Sequence, residues 1–157
     1  MIFYSQITKF LEAMGFSKSK ILYTYAKSQV GNKKSGVKAP IAFGCAEAVN
    51  KIFLECFGTE IGGDVSTLRM YQALSRSIKF SKVTTAPEAG DIVISPTGYG
   101  NGSLANGHVG ICSEQFKILS NNSDTGKWEE NYTIPTWYKR YAIQGGFPVY
   151  FFRVIIG

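Results

Sequence analysis

Two residues of this chain have both the type and the sequence setting needed for nucleophilic chemistry, a cysteine at position 45 and a histidine at position 108. Cys45 follows Gly44 and opens a run whose apolar residues recur with helical spacing, residues 45–56. His108 is the only histidine of the sequence and begins a β-branched run, residues 108–113. A thiol and an imidazole that meet in space are the nucleophile and the base of cysteine hydrolases. The pair therefore predicts a cysteine hydrolase.

The position of Cys45 at the start of a helix suggests how the thiol is activated. A thiol attacks strongly only as the thiolate, and an ordinary cysteine pKa of about 8.5 leaves little thiolate at neutral pH. A helix N-terminus and a nearby imidazolium, here from His108, both lower that pKa. The backbone N–H groups at the helix start also provide an oxyanion hole, and Gly44 leaves room for a substrate carbonyl. We expect the rate to rise and fall with pH as the ion pair forms and disappears.

A catalytic imidazole needs a third polar group that fixes its tautomer and its ring orientation. The chain turns after the His108 strand and returns as residues 116–123, so the polar end of the return strand would lie beside His108. Ser120 and Asn122 point to one face of that strand and Asn121 to the other. The strand register decides among the three, and the order of preference is Asn122, then Asn121, then Ser120.

The elements that would position these residues are helices first and strands afterwards. Apolar spacing predicts helices over residues 5–14 and 17–30 ahead of the Cys45 helix, and Ser66 is a good N-cap for a fourth. Strand patterns follow over residues 91–95, 108–113 and 116–120, and an aromatic closing strand over 147–156. This order predicts an α+β fold with an antiparallel sheet, and residues 1–157 fit a single catalytic domain.

Composition and charge restrict the kinds of partner. The formal net charge of +6 favours encounter with polyanions such as acidic wall polymers. No nucleic-acid motif is present, so no nucleic-acid partner is expected. Three cysteines without C-x-x-C spacing indicate neither disulfides nor a zinc site, so Cys56 and Cys112 are expected in the core and no metal or cofactor is expected. No apolar run has the length of a membrane span, and stable membrane insertion is not expected.

Three motifs resemble those of the papain-like peptidoglycan hydrolases. They are FGCAEAV at residues 43–49, GDIV at 90–93 and GHVGI at 107–111, and the whole resemblance covers roughly residues 20–125. Both the CHAP amidases and endopeptidases and the NlpC-type cysteine peptidases have a cysteine heading a helix, a Gly-Asp strand and a Gly-His-Val strand. The resemblance implies a papain-like fold and cleavage of an amide in the stem peptide or cross-bridge of peptidoglycan. It also implies a thioester on Cys45, with His108 protonating the leaving amine.

The resemblance also addresses the third catalytic residue. In CHAP domains the third and fourth active-site residues stand two apart on the return strand, which corresponds to Ser120 and Asn122 here. The NlpC branch has its third polar residue near Ser120, where this chain has a serine in place of a carboxylate or imidazole. Asn122 would then orient His108 as an asparagine does in the wider papain group. No tyrosine precedes Cys45 to match the oxyanion tyrosine of the NlpC branch, so backbone N–H groups would form the oxyanion hole.

The expected substrate is bacterial peptidoglycan, held by Gly44, Gly107 and Trp128, with the protein acting as a monomer. No secretory signal opens the sequence, which indicates synthesis in the bacterial cytoplasm and release by another route. A phage endolysin that reaches the wall after holin action and an injected antibacterial effector both fit. Two other hypotheses remain open, a papain-like protease or deamidase acting on proteins and a non-catalytic wall-binding or phage structural module.

Overall fold

The computed structural model describes residues 2–101 and 105–156, with side chains from residue 6 onward. Four helices come first: α1 (Ile2–Ala13), α2 (Lys18–Ser28), α3 (Cys45–Phe57) and α4 (Thr67–Arg76). Six strands follow: β1 (Phe80–Lys82), β2 (Ile92–Ser95), β3 (His108–Cys112), β4 (Lys117–Asn121), β5 (Trp128–Thr133) and β6 (Tyr150–Val154). A short helix α5 (Ile134–Trp137) and a π-helical turn (Tyr138–Gln144) separate β5 from β6. None of the described helices is long and apolar enough to cross a bilayer.

The six strands form one antiparallel sheet in the order β1-β6-β2-β3-β4-β5. The return strand β4 lies beside β3, with Ile111 opposite Leu119. This confirms the α+β fold and the antiparallel sheet expected from the sequence. The last strand pairs with both β1 and β2, so the C-terminal segment is built into the sheet between strands that precede it by more than 50 residues.

Two apolar clusters cover the two faces of the sheet. The larger lies between the sheet and the helices, where alternate residues such as Val109, Ile111 and Leu119 meet α2, α3 and α4. The smaller covers the opposite face, where Cys112 and Ile118 meet the aromatic C-terminal segment. This alternation follows from the two-residue period of strands, which sends successive side chains to opposite faces. Cys56 and Cys112 are buried, as the sequence predicts.

The helix boundaries follow from local chemistry. Ser17 accepts a hydrogen bond from the Lys20 N–H and caps α2, and Ser66 caps α4 through the N–H of Arg69. Gly58 ends α3 in the left-handed conformation, with φ of 84°, which a glycine adopts without steric cost.

The region between residues 128 and 149 differs from the expectation. The sequence pattern assigned Trp128 to substrate contact and residues 147–156 to a closing strand, and it identified neither β5 nor the helical segment. Trp137, Tyr141 and Phe147 instead pack on the back of the sheet from α5, the π-helical turn and the loop after it. The start of α5 is fixed by a capping box, in which the side chains of Thr133 and Thr136 each accept a hydrogen bond from the backbone N–H of the other residue.

The Gly-Asp motif has a structural role. Gly90 has φ of 93°, and a side chain there would collide with the backbone of Ser19. Asp91 is fully buried and accepts two hydrogen bonds from the guanidinium of Arg153, at 2.9 and 2.8 Å. This bidentate pair joins the residue just ahead of β2 to β6.

Candidate active site

A cleft of about 540 Å³ opens where α3 and β3 begin and β4 ends. Cys45 and His108 both line it, together with residues from the loop before β3, from β5 and from the π-helical turn. The sheet and the helices thus bring to one opening the two residues that the sequence singles out.

Cys45 is the first residue of α3 and is half-buried at the cleft rather than enclosed in the core. The backbone N–H of Val109, the residue that follows His108, acts on the Cys45 sulfur. The N–H groups of Cys45 and Ala46 also act on the sulfur, and all three lower its pKa. Burial outweighs them and raises the pKa of the Cys45 thiol to about 11. The resting group is therefore a thiol, and the helix N-terminus does not produce the thiolate expected from the sequence.

Two polar side chains of α3 hold the chain segments that precede and follow the helix. The Glu47 carboxylate accepts hydrogen bonds from four consecutive backbone N–H groups, those of residues 36–39, at 2.8 to 3.2 Å. The Asn50 amide donates to the carbonyls of Gly62 and Asp64 and accepts from the N–H groups of Ile61 and Gly62. The segment after Asp64 forms one wall of the cleft, which makes α3 the element on which the site is assembled.

Gly44 has a packing role that the sequence did not suggest. A side chain at this position would run into Ser35, and Gly44 is not among the residues that line the cleft. Ser35 donates to the amide oxygen of Asn121 at 2.7 Å, and Asn121 donates to the carbonyl of Ile41 at 3.0 Å. Asn121 thus ties the end of β4 to the segment just ahead of Cys45 instead of contacting His108.

The imidazole of His108 is hydrogen-bonded through Nε2 to the hydroxyl of Ser120, at 3.0 Å. Ser120 donates its single hydroxyl hydrogen to Oδ1 of Asn131, at 2.6 Å. The Ser120 oxygen can therefore only accept from His108, which places the imidazole proton on Nε2. Nδ1 is left with a free lone pair, the form that a general base requires.

Strand geometry explains why Ser120 makes this contact. Extending the register that pairs Ile111 with Leu119 places Asn122 opposite His108 and Ser120 opposite Gly110. A side chain at Gly110 would collide with β4, and its absence lets the imidazole reach back across the strand. A register shift between β4 and β5 inserts one extra residue in β5 beside Ser120, where Asn131 lies.

The remaining predicted residues have other partners. Asn122 donates to the Glu129 carboxylate at 3.1 Å and accepts from the backbone of Asp124, so the residue preferred from the sequence does not orient the imidazole. Gly107 lines the cleft, and its N–H donates to Thr97. Trp128 is fully buried and donates its indole N–H to the carbonyl of Ala26. It belongs to the core, contrary to the expectation that it holds substrate.

Aromatic rings enclose the imidazole on the side away from the helices. The ring centroids of Trp137, Tyr132 and Tyr141 lie 5.2, 5.7 and 5.7 Å from that of His108, and Tyr141 is nearly parallel to it. Burial lowers the pKa of His108 to about 3, and the positive charge of Arg140 adds to the effect. The structure therefore favours a neutral thiol and a neutral imidazole over an ion pair.

Asn131, Tyr132 and Arg140 line the site and were not identified from the sequence. Asn131 and Tyr132 lie in β5 and Arg140 in the π-helical turn, the two elements that the sequence pattern did not reveal. Gly110 was the sequence feature that could have indicated Ser120. A glycine two residues after His108 leaves space on the face of the sheet where His108 and Ser120 both lie. Within the described ranges, no group of three Cys, His, Asp or Glu side chains is arranged to hold a metal ion.

Comparison with known proteins informs the fold. No family model matches the sequence, and no curated protein matches it significantly. Solved structures do match, among them a chain of the type VI native effector–immunity complex Tae3–Tai3 from Ralstonia pickettii. The TM-score is 0.54 with 18% sequence identity, over 88% of this chain and 99% of that chain. At this identity the similarity concerns the fold.

Proposed function

We propose that the protein hydrolyses an amide bond in the stem peptide or cross-bridge of bacterial peptidoglycan, with Cys45 as nucleophile and His108 as base. The observation that carries the proposal is the convergence at the cleft. Cys45 and His108 line the same opening, and the imidazole is held by Ser120 and Asn131 in the tautomer that leaves Nδ1 free.

The neutral pair sets the order of proton transfers. Nδ1 of His108 takes the thiol proton as the sulfur attacks the carbonyl carbon, so that no isolated charge forms before substrate is bound. The imidazolium donates that proton to the leaving nitrogen as the C–N bond breaks, which leaves a thioester on Cys45. Water, deprotonated by the same Nδ1, then attacks the thioester and releases the carboxylic acid and the thiol. Backbone N–H groups at the start of α3 stabilise the oxyanion formed at each addition.

Peptidoglycan as the substrate is supported by the motif resemblance and by the basic charge of the protein. The fold similarity to a chain from an effector–immunity complex favours an injected antibacterial effector over an endolysin. Under that hypothesis the producing cell holds a protein that neutralises this one.

The test is digestion of purified sacculi, followed by mass spectrometry of the released muropeptides. We expect the wild-type protein to release a defined set of fragments and Cys45→Ala to release none, with its thermal unfolding midpoint close to that of the wild type. Cys112→Ala is the matched control, because it also removes a thiol but one buried on the far face of the sheet. Fragment release by Cys45→Ala would refute the nucleophile assignment.

A second candidate, a non-catalytic wall-binding module, draws on one observation. A thiol whose pKa is raised to about 11 by burial is a poor nucleophile unless a base assists it. This candidate predicts that wild-type protein and Cys45→Ala co-sediment equally with sacculi and that neither releases fragments. Intact sacculi beside a cleaved protein substrate would instead indicate a protease or deamidase.

A further inference from the structure

Arg140 is the only formally charged residue among the described residues that line the cleft. The others are apolar, hydroxyl, amide and glycine residues, together with the Cys45 thiol and the neutral imidazole of His108. No carboxylate lines the cleft in the ranges that the structure covers. The electrostatic character of the site is therefore set by a single guanidinium.

The guanidinium is held in place without being neutralised. Its carbon lies 5.7 Å from the ring centre of Tyr141, and the Tyr141 hydroxyl raises the pKa of the guanidinium. No ion pair links Arg140 to an acidic side chain within residues 6–101 and 105–156.

The backbone also fixes the position of this residue. Arg140 lies in the π-helical turn, and its carbonyl accepts from the N–H of Gly145, five residues later. Single π-turns occur frequently at functional sites. Here Tyr141 of the turn is buried against the sheet, while the exposed Arg140 lines the cleft.

We propose that Arg140 binds a free carboxylate of the substrate, so that the preferred substrates are peptide amides with an unblocked carboxylate close to the bond that is cut. This proposal rests on the proposed function and specifies its substrate class. A guanidinium presents paired N–H donors that match the two oxygens of a carboxylate, and such charge-assisted hydrogen bonds are among the stronger ones in proteins.

The same contact would couple binding to catalysis. In the free protein the charge of Arg140 opposes protonation of His108 and so lowers the pKa of the imidazole. A bound carboxylate compensates that charge, which favours the imidazolium that forms when Cys45 attacks. A substrate whose carboxylate is amidated lacks this compensation. We therefore expect amidation to lower kcat as well as to raise KM.

The experiment uses a synthetic stem peptide with all its carboxylates free and matched peptides in which one carboxylate at a time is converted to a carboxamide. The value of kcat/KM is measured for the wild type, Arg140→Gln, Arg140→Lys and the control Lys139→Gln. Lys139 is the adjacent exposed cation and does not line the cleft, so its substitution changes the net charge equally.

We expect the wild type and Lys139→Gln to prefer one free carboxylate by about 10- to 100-fold. The preference should fall to less than about threefold in Arg140→Gln, and Arg140→Lys should keep part of it, because an ammonium supplies charge without the planar fork. An unchanged preference in Arg140→Gln, or no preference in the wild type, would overturn the proposal while leaving hydrolysis by Cys45 intact.

A binding measurement separates this proposal from the proposed function. Calorimetric titration of Cys45→Ala with the same peptides requires no turnover. Tighter binding of the free acid, lost in Cys45→Ala combined with Arg140→Gln, supports the carboxylate site even if the wild type cleaves nothing. Equal binding of acid and amide refutes it.

Discussion

The hydroxyl of Ser120 accepts a hydrogen bond from Nε2 of His108 across the position of Gly110, at 3.0 Å. Because the serine hydrogen is committed to Asn131, the contact specifies the protonation of both imidazole nitrogens. A serine and an asparagine thus fill the position where the resembling families have a carboxylate or an imidazole. Uncharged hydrogen-bond partners such as Ser120 and Asn131 suit an imidazole that is itself neutral.

We predict that Ser120→Ala lowers kcat by roughly 100-fold, because the ring loses both its anchor and its tautomer preference. Asn131→Ala should lower kcat by about tenfold, since Ser120 then remains free to donate to Nε2 and to favour the wrong tautomer. The measurement is initial rate on a soluble stem peptide.

Asn122→Ala is the comparison for this pair, because Asn122 contacts Glu129 rather than the imidazole. Its kcat should change by less than about threefold. A larger loss of kcat in Asn122→Ala than in Ser120→Ala would support Asn122, the residue preferred from the sequence. It would contradict the role of the hydrogen bonds from His108 to Ser120 and from Ser120 to Asn131.

We predict a broad plateau in kcat/KM between about pH 5 and pH 9. The pKa of His108 is lowered to about 3 and that of the Cys45 thiol is raised to about 11, so neither group changes its protonation in this range. The rate should decline only at acid pH, as His108 gains a proton. A bell-shaped profile with both limbs between pH 5 and pH 9 would show that the pair is an ion pair after all.

Burial of His108 should also make the folded state sensitive to acid. The unfolded chain binds a proton at His108 below an ordinary pKa of about 6.5, whereas the folded chain does so only near pH 3. Stability from this residue is therefore complete above pH 6.5 and is lost as the pH falls toward 3, by at most about 1.4 kcal/mol per pH unit.

Urea unfolding of wild type and His108→Gln at several pH values between 7 and 4 measures this contribution. The unfolding free energy of the wild type minus that of His108→Gln should decrease by up to that slope as the pH falls. The carboxylates contribute equally to both proteins and cancel in this difference. Parallel pH dependences would mean that His108 is not held neutral in the folded protein.

We predict that Asp91→Asn destabilises the fold by about 3 kcal/mol, since it leaves Arg153 without the charge that it contacts bidentately at a buried position. Asp124→Asn makes the same charge change at an exposed residue and should alter stability by less than about 0.5 kcal/mol. Chemical denaturation measures both. A stable Asp91→Asn variant that has lost hydrolysis would instead assign Asp91 to the chemistry.

Local pattern determined much of the fold. The helical spacing of residues 45–56, the N-cap at Ser66 and the strand alternation after residue 90 depend on neighbouring residues alone, so α3, α4, β2, β3 and β4 were predictable. Residue type and position likewise singled out Cys45 and His108, which the fold brings to one cleft. The aromatic segment after Trp128 gave no such periodicity, because its residues pack in a strand with a bulge, a short helix and a π-turn in succession.

Only the tertiary structure decided the partner of His108 and the charge of the site. The choice of Ser120 over Asn122 depends on a diagonal reach across Gly110 and on a bulge that brings in Asn131, and neither is encoded in the residues next to Ser120. The neutral state of the Cys45 and His108 pair is likewise a consequence of desolvation. Burial outweighs the helix N-terminus at Cys45, and rings more than 20 residues away along the chain enclose His108. A pattern of near neighbours contains no information about either burial.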